Sequence, residues 1–310
     1  MEHILSVDQF DRALLNQILA RAGQMRLTAE RGGDNRLAGK ILATVFYEPS
    51  TRTRLSFESA MMRLGGNVIS SEMAAETSSA AKGETIEDTV RIVESYADAV
   101  VFRHPVAGTV GRAAAVASIP VINGGDGARE HPTQALIDLY TIQRELGRID
   151  EINVALVGDL KYGRAPRSLA LLLTRTTGSR IQLVSPPQLD MAADVIAQLD
   201  RAGLAYSVER DLEQAVTSAD IVYVTRIQKE RFPSLEAFAD VEGAYQLTAN
   251  VARTMRAGAA IMHPLPRVDE IEPAVDALPQ AAYFRQAQNG VYVRMALLDM
   301  LLNRQVDLTA

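Results

Sequence analysis

The 310-residue sequence contains no cysteine and no tryptophan, and only 5% of its residues are aromatic. Without cysteine the chain can form no disulfide, no thiolate nucleophile and no cysteine–metal site. Its four histidines do not follow the HExxH spacing of a zinc protease. The core must therefore consist mainly of alanine, leucine, valine, isoleucine and methionine.

Long apolar runs are also absent. No segment reaches the ~18 consecutive apolar residues that a membrane-spanning helix needs, and the first residues, MEHILSVDQFDR, lack the apolar stretch of a signal peptide. The net charge of −6 argues against a general nucleic-acid or membrane-surface binder. We expect a cytoplasmic protein with no membrane and no nucleic-acid partner, in which any cluster of cationic side chains is informative.

Strand-like and helix-like runs alternate along the chain, which is typical of parallel sheets with crossover helices. Strands are predicted at 40–49, 98–105, 119–124, 152–159, 180–186, 204–210, 220–226 and 259–266. Helices are predicted at 50–66, 84–97, 131–147, 164–177, 188–202, 211–218, 248–257 and at the end of the chain. This pattern predicts an α/β fold of two doubly wound parallel-sheet domains joined by interdomain helices. The domains are expected at 1–148 and 149–284, with a C-terminal helix, 285–305, packing back on the first.

Cationic side chains follow the predicted strands at the points where the strands end. They include Arg52 and Arg54, Arg103 and His104, Lys161 to Arg164, Arg226, and His263 to Arg267. Any one arginine can end a strand simply because it reaches solvent there. The whole set, in an acidic protein, indicates cations that converge in a cleft between the domains, because ligands of open α/β sheets bind beyond the carboxyl ends of the strands.

Residues 50–54, Ser-Thr-Arg-Thr-Arg, begin a predicted helix directly after the first strand. A helix N-terminus offers unpaired backbone N–H groups and a partial positive charge, so it binds phosphate readily. The alternative is a Ser50 N-cap with two solvated arginines. Two arginines and two threonines exceed what capping requires, which favours a phosphate site. Neither GxxxxGK[ST] nor GxGxxG is present, and VALVGDLKYGR (154–164) is a weak dinucleotide signal.

Two His-Pro sequences and one small-residue segment are further candidates. His131 opens a predicted helix, where the dipole favours a neutral imidazole that can donate to a carbonyl; a capping histidine is the alternative. In HPLPR (263–267) two prolines fix a turn, with a cis bond as one option, that can point backbone carbonyls at a ligand NH₂; a stiff loop is the alternative. The segment 70–84 predicts a mobile loop containing Lys82, which alone reads as a solvated surface lysine.

Seven motifs then occur in a fixed order: FYEPSTRTRLSFE, AKGET, FRHP, HPTQ, VGDLKYGR, TRIQKER and HPLPRVDEI. Together they resemble the catalytic chains of the aspartate carbamoyltransferase family, over nearly the whole chain from about Ile4 to Asn303. The resemblance implies transfer of the carbamoyl group of carbamoyl phosphate to L-aspartate in pyrimidine (UMP) biosynthesis. It implies no metal and no cofactor, because an amine attacks an activated carbonyl and phosphate leaves without a covalent enzyme intermediate.

The resemblance also assigns roles to individual residues. Carbamoyl phosphate is expected to contact Ser50, Thr51, Arg52, Thr53, Arg103, His131, Gln134, Leu265 and Pro266. Aspartate is expected to contact Lys82, Arg164, Arg226 and Gln228. The residues expected to act in catalysis are Thr53, Arg103 and His131 at the oxyanion, with Lys82 and Arg52 at the leaving phosphate. Supporting roles fall to Ser78, Glu48 and Arg231, the last two bracing Arg164 and the closed domain arrangement. The loop with Ser78 and Lys82 is expected to enter a neighbouring subunit's site, which implies a homotrimer.

One departure and two rival functions stand beside this interpretation. After Arg164 the chain reads Ala165-Pro166-Arg167, where the family often has Thr-Val-His, so Arg167 is expected to add a cation near the site. Ornithine carbamoyltransferase shares STRTR but typically has HPCQ and HCLP, and a pocket with Arg226 beside Arg164 repels cationic ornithine. A non-catalytic scaffold chain would have lost site residues that are present here. Regulatory chains and a dihydroorotase stay open as partners.

Overall fold

The computed structural model of the chain describes residues 2–74, 83–228, 232, 234–239, 241 and 243–303. The chain separates into two compact units, one formed by Met1–Leu136 with Gln288–Ala310 and the other by Ile137–Ala287. The division falls within two helices, Pro132–Leu146 and Tyr283–Leu302. The boundary expected near 148–150, with one ligand assigned to each side, stays a prediction.

The first unit is built on a parallel sheet with the strand order β2-β1-β3-β4. Its strands are β1 (Ile41–Phe46), β2 (Asn67–Glu72), β3 (Ala99–His104) and β4 (Val121–Asp126). Its helices are α1 (Arg12–Glu30), α2 (Thr51–Arg63), α3 (Ile86–Val93) and α4 (Thr109–Val116), and a 3₁₀ turn covers Val7–Gln9. The strands β1, β3 and β4 are buried almost throughout, as strands covered on both faces require.

The second unit is built on a parallel sheet with the order β7-β6-β5-β8-β9. Its strands are β5 (Asn153–Gly158), β6 (Arg180–Val184), β7 (Ala205–Glu209), β8 (Ile221–Thr225) and β9 (Ala260–Met262). The helices from the division onward are α5 (Pro132–Leu146), α6 (Arg164–Leu173), α7 (Ala193–Ala202), α8 (Leu212–Ser218), α9 (Leu235–Ala239), α10 (Ala249–Arg253) and α11 (Tyr283–Leu302). Short 3₁₀ turns cover Pro187–Leu189 and Pro273–Ala277. Among the helices that the structure describes, none has the length and hydropathy to cross a membrane.

Each sheet has one strand from which the chain winds in both directions. In the first unit β1 has β2 on one side and β3 on the other, and in the second unit β5 lies between β6 and β8. The loops that leave the carboxyl ends of β1 and β3, or of β5 and β8, therefore turn to opposite faces and leave a crevice. These crevices position the candidate site residues.

The predicted α/β class with two parallel sheets is confirmed, but some elements were not predicted from the sequence. The strand β2 pairs with β1 along the edge of its sheet, and Asn67, Ser70 and their neighbours are mostly exposed or half-buried. Such an edge strand shows neither a buried run nor a clean alternation of apolar residues. The helices α1 and α4 also went unpredicted.

Candidate active site

The N-terminus of α2 lies just beyond the carboxyl end of β1. Ser50 occupies the cap position, but its side chain makes no capping hydrogen bond, and the first turn contains no acidic residue. By contrast, the caps of α1 and α3, Asp11 and Thr85, both accept a hydrogen bond from a backbone N–H. The start of α2 therefore keeps hydroxyl and N–H donors that suit an anion.

The two arginines of this segment have different surroundings. Arg54 Nη2 lies 2.8 Å from Glu72 Oε2, and Arg54 Nη1 lies 3.4 Å from Glu58 Oε1. Arg52 is exposed, and no carboxylate pairs with it in the described part of the chain. Partial desolvation, with no charged neighbour contributing, lowers the pKa of Arg52. Carboxylates thus offset the charge of Arg54, whereas none of the described carboxylates offsets that of Arg52.

Three buried polar residues were predicted to act together, and the structure brings two of them into contact. Thr53 Oγ1 lies 3.4 Å from His131 Nε2, and both residues are 6% exposed. His131 directly precedes α5, and its carbonyl accepts from the backbone N–H of Gln134 at 2.9 Å. His131 Nδ1 lies 3.4 Å from Thr133 Oγ1. The imidazole is therefore fixed at both nitrogens beside the first turn of α2.

Arg103, the third of these residues, lies near the end of β3, and two groups fix its guanidinium. Its Nη1 donates to the carbonyl of Gly124 at 3.0 Å, and its Nη2 lies 2.6 Å from Glu48 Oε1. The resemblance implied that Glu48 braces Arg164. The structure shows Glu48 paired with Arg103 in the first unit, and the bracing of Arg164 stays a prediction.

In the second unit, Asp159 links the two segments that contain the predicted aspartate ligands. It directly follows β5 and is fully buried. One carboxylate oxygen accepts from the Tyr162 backbone N–H at 2.8 Å, and the other accepts from that of Gln228 at 3.2 Å. Arg164 begins α6 two residues after Tyr162, and Arg226 directly follows β8. Asp159 therefore holds both segments at the same strand ends.

No role was predicted for Asp159 from the sequence. The signal that could have identified it is an acidic residue directly after the five apolar or small residues Val154–Gly158 of a buried strand, because a buried carboxylate needs several donors. The neighbouring Gly158 has a φ of 110°, and a Cβ there would overlap the carbonyl oxygen of Thr225. Only glycine therefore lets β5 and β8 approach closely enough at this end.

Arg167 was expected to add a cation near the site. Its guanidinium instead forms a bidentate pair with Asp194, with Nη1 at 3.1 Å from Oδ1. The hydrogen bond from Arg167 lowers the pKa of Asp194, so both groups are charged and offset each other. Pro166 lies in the first turn of α6 as predicted.

The HPLPR segment forms the rigid turn that its two prolines indicate. The Leu265–Pro266 peptide bond is cis, and Leu265 has a φ of 53°. His263 is 2% exposed, and its Nδ1 accepts the Leu265 backbone N–H at 2.7 Å. Three other predicted site residues, Ser78, Lys82 and Arg231, lie outside the described residues, so the structure does not place them.

Family models match both parts of the chain. The carbamoyl-P binding domain of aspartate/ornithine carbamoyltransferase matches residues 2–144, and its Asp/Orn binding domain matches residues 150–301. The chain belongs to the aspartate/ornithine carbamoyltransferase family. This carbamoyltransferase chain is 53% identical over 300 residues to the aspartate carbamoyltransferase catalytic subunit of Methanopyrus kandleri, with 96% of each chain covered. It is 50% identical over 304 residues to aspartate carbamoyltransferase 1, chloroplastic, of Pisum sativum, covering 97% of this chain and 79% of the relative.

Solved structures agree with this assignment. The catalytic subunit of M. jannaschii aspartate transcarbamoylase superposes on the carbamoyltransferase chain with a TM-score of 0.90 at 46% identity, covering 98% of this chain and 99% of the other. Aspartate transcarbamoylase from Trypanosoma cruzi, in complex with carbamoyl phosphate and aspartate, gives a TM-score of 0.90 at 41% identity, covering 96% and 95%. The carbamoyltransferase fold expected from the motifs is confirmed.

Proposed function

We propose that this chain transfers the carbamoyl group of carbamoyl phosphate to the amine of L-aspartate, giving N-carbamoyl-L-aspartate and phosphate for pyrimidine synthesis. The proposal rests on the N-terminus of α2, where the Ser50 side chain caps nothing and Thr53 contacts His131. That end of a helix suits the phosphate of an acyl phosphate. The names of the relatives, all aspartate carbamoyltransferases among those above, favour aspartate over ornithine.

The first unit supplies the groups proposed to bind the phosphate and the carbonyl oxygen of carbamoyl phosphate. As the amine attacks the carbonyl carbon, negative charge develops on the carbonyl oxygen, where Thr53, Arg103 and His131 donate hydrogen bonds. Arg52 offsets charge on the departing phosphate, with Lys82 as a second cation. Phosphate leaves as the C–O bond breaks, and it accepts the proton that the amine loses. The full set of proposed carbamoyl-phosphate contacts is Ser50, Thr51, Arg52, Thr53, Arg103, His131, Gln134, Leu265 and Pro266.

The second unit supplies the groups proposed to bind aspartate. Arg164 and Arg226 pair with its two carboxylates, and Gln228 and Lys82 add hydrogen bonds. Ornithine has an ammonium group in place of the second carboxylate, so two guanidiniums repel it. Because Asp159 holds the backbone of Gln228 and of the turn before Arg164, the spacing of these donors is set before the ligand binds. Such preorganisation reduces the entropy lost on binding.

The purified chain, incubated with carbamoyl phosphate and either L-aspartate or L-ornithine, tests the reaction. We expect N-carbamoyl-L-aspartate to form at least about a hundredfold faster than the ornithine product, because a mismatched charge in the pocket costs several kcal/mol. The carbamoylated products are separated by chromatography and quantified. Product from ornithine alone would overturn the substrate assignment and keep the phosphate site. No product from either amine would favour the scaffold function.

We further propose that the chain acts as a homotrimer in the cytoplasm, with Ser78 and Lys82 of one chain completing the site of the next. The proposal is supported by the family resemblance of the AKGET motif and by the catalytic subunits among the relatives. Regulatory chains and a dihydroorotase remain candidate partners. Glu48 and Arg231 keep their proposed supporting roles toward Arg164 and the closed domain arrangement.

Mixing two inactive variants tests the shared site. Lys82→Ala and Arg52→Ala chains each lack one group of a site, so each alone is expected to be nearly inactive. After subunit exchange at equal amounts, about a quarter of the sites in random trimers combine an intact Arg52 with a neighbour's intact Lys82. We therefore expect recovery of about a quarter of the wild-type activity. No recovery after mass spectrometry confirms mixed oligomers would contradict sharing.

A further inference from the structure

The Leu265–Pro266 turn rests on buried hydrogen bonds that the proposed reaction does not itself use. His263 Nδ1 accepts the Leu265 backbone N–H at 2.7 Å, and His263 Nε2 lies 2.6 Å from Glu270 Oε1. The other oxygen of Glu270 accepts the backbone N–H groups of Val268 and Asp269 at 3.0 and 3.1 Å. His263 and Glu270 are 2% and 8% exposed. Together they fix the backbone on both sides of the turn.

The partners of His263 define its protonation. Because Nδ1 accepts a backbone N–H, the ring proton lies on Nε2 and is donated to Glu270, so the imidazole is neutral. Burial acts to raise the pKa of Glu270, but the hydrogen bond from His263 and the backbone N–H groups outweigh it and lower the pKa. The pair is thus a neutral imidazole and a carboxylate with one fixed direction of donation.

A second layer of buried groups supports the same turn. Gln286 Oε1 accepts the His263 backbone N–H at 2.8 Å, and Gln286 Nε2 donates to Asp138 at 2.7 Å. The other oxygen of Asp138 accepts from the Tyr223 hydroxyl at 2.9 Å. Gln286, Asp138 and Tyr223 are at most 1% exposed. A buried carboxylate seldom stabilises a protein more than an apolar residue of similar volume would. This indicates that the buried groups serve to place the turn rather than to raise the stability of the fold.

We propose that His263 and Glu270 are positioning residues that fix the Leu265 and Pro266 carbonyl groups in the direction needed to accept hydrogen bonds from the carbamoyl NH₂. The proposal rests on the proposed function, because carbamoyl phosphate is the ligand. It assigns recognition of the amino group to the turn, whereas the phosphate contacts belong to the N-terminus of α2. Loss of the two residues should therefore affect the amino group selectively.

Two substitutions at His263 separate its two hydrogen bonds. In His263→Asn the amide oxygen takes the place of Nδ1 and still accepts the Leu265 N–H, but the contact with Glu270 is lost. In His263→Gln the amide nitrogen takes the place of Nε2 and still reaches Glu270, but Leu265 loses its acceptor. Glu270→Gln keeps the shape of the native side chain. Its NH₂, however, must face either the ring N–H of His263 or the backbone N–H groups of Val268 and Asp269, so a donor meets a donor at one of these places.

The test compares the dissociation constants of carbamoyl phosphate and acetyl phosphate, in which a methyl group replaces the NH₂. The wild-type protein should prefer carbamoyl phosphate by about a hundredfold, because a site built for an N–H donor rejects an analogue without it. In His263→Gln and Glu270→Gln the preference should fall below about tenfold, with acetyl phosphate bound within about twofold of wild type. His263→Asn should keep the preference within about threefold of wild type.

The outcomes separate this inference from the proposed function. A wild-type protein that forms no N-carbamoyl-L-aspartate contradicts the proposed function, whereas one that forms it without preferring carbamoyl phosphate over acetyl phosphate contradicts this inference. A wild-type protein with the preference, beside His263→Gln and Glu270→Gln proteins that keep it, contradicts this inference alone. Equal weakening of both acyl phosphates indicates general structural loss and also contradicts it. If His263→Gln does not fold, the same test compares Glu270→Gln, which should lose the preference for carbamoyl phosphate, with His263→Asn, which should keep it.

Discussion

Replacing Arg52 by alanine is expected to lower the turnover of carbamoyl transfer by about a thousandfold, the usual effect of removing one electrostatic donor from a developing charge. Replacing Arg54, two residues further along α2, should lower it by less than about tenfold. The difference follows from their partners, because Glu58 and Glu72 pair with Arg54, and no carboxylate of the described residues pairs with Arg52. Of these two arginines, only Arg52 therefore has a charge that a phosphate can use.

The measurement is kcat at saturating concentrations of both substrates, with the melting temperature of each variant as the control for folding. Arg54→Ala should destabilise the fold by about 1 kcal/mol, since the ion pairs it removes are partly exposed. Arg52→Ala should melt within a degree or two of wild type, because none of the carboxylates in the described ranges pairs with the removed side chain. Equal losses of turnover in Arg52→Ala and Arg54→Ala would show that Glu58 and Glu72 do not keep the charge of Arg54 from the phosphate.

Replacing Arg164 by alanine is expected to raise the KM for aspartate by several hundredfold, since a guanidinium–carboxylate pair in a protected site is among the stronger polar contacts. Arg167 provides the matched control one helical turn later on α6. Its guanidinium already pairs with Asp194, so Arg167→Ala should change this KM by less than about threefold. Steady-state kinetics with varied aspartate and saturating carbamoyl phosphate measure both values.

The dissociation constant of carbamoyl phosphate gives the internal control for this pair of variants. We expect it within about twofold of wild type in both, because the groups proposed for the phosphate belong to the first unit. A tenfold or larger rise in the aspartate KM of Arg167→Ala would show that its guanidinium reaches the amino acid despite Asp194. An unchanged KM in Arg164→Ala would remove Arg164 from the proposed aspartate site.

The sequence predicts the fold well wherever a strand is buried on both faces. The run 41–46 and the run 153–158 are almost entirely apolar and are followed by helix signals, so β1 and β5 were predicted close to their observed bounds. The strand β2 lies at an edge, where solvent and partner strand impose no apolar pattern. Its existence depends on pairing with β1, which is a tertiary contact that local sequence does not encode.

The site is less predictable, because pairing decides which cations are available. The sequence presents Arg52 and Arg54, or Arg164 and Arg167, as equivalent neighbours on one helix. Their carboxylate partners, Glu72 for Arg54 and Asp194 for Arg167, come from segments that only the fold brings close. The same applies to Asp159, and to Glu270 apart from its contact with His263, because their other partners are backbone N–H groups, which leave no trace in residue type.

The close approach of β5 and β8 at Gly158 limits how this site can be redesigned. Every residue other than glycine at 158 would place a Cβ on the carbonyl oxygen of Thr225, so a randomised library at this position should return glycine alone. Asp159 is similarly committed to two backbone groups. A search for a changed amine specificity should therefore leave the strand end intact and vary the solvent-facing loop positions around Arg164 and Arg226.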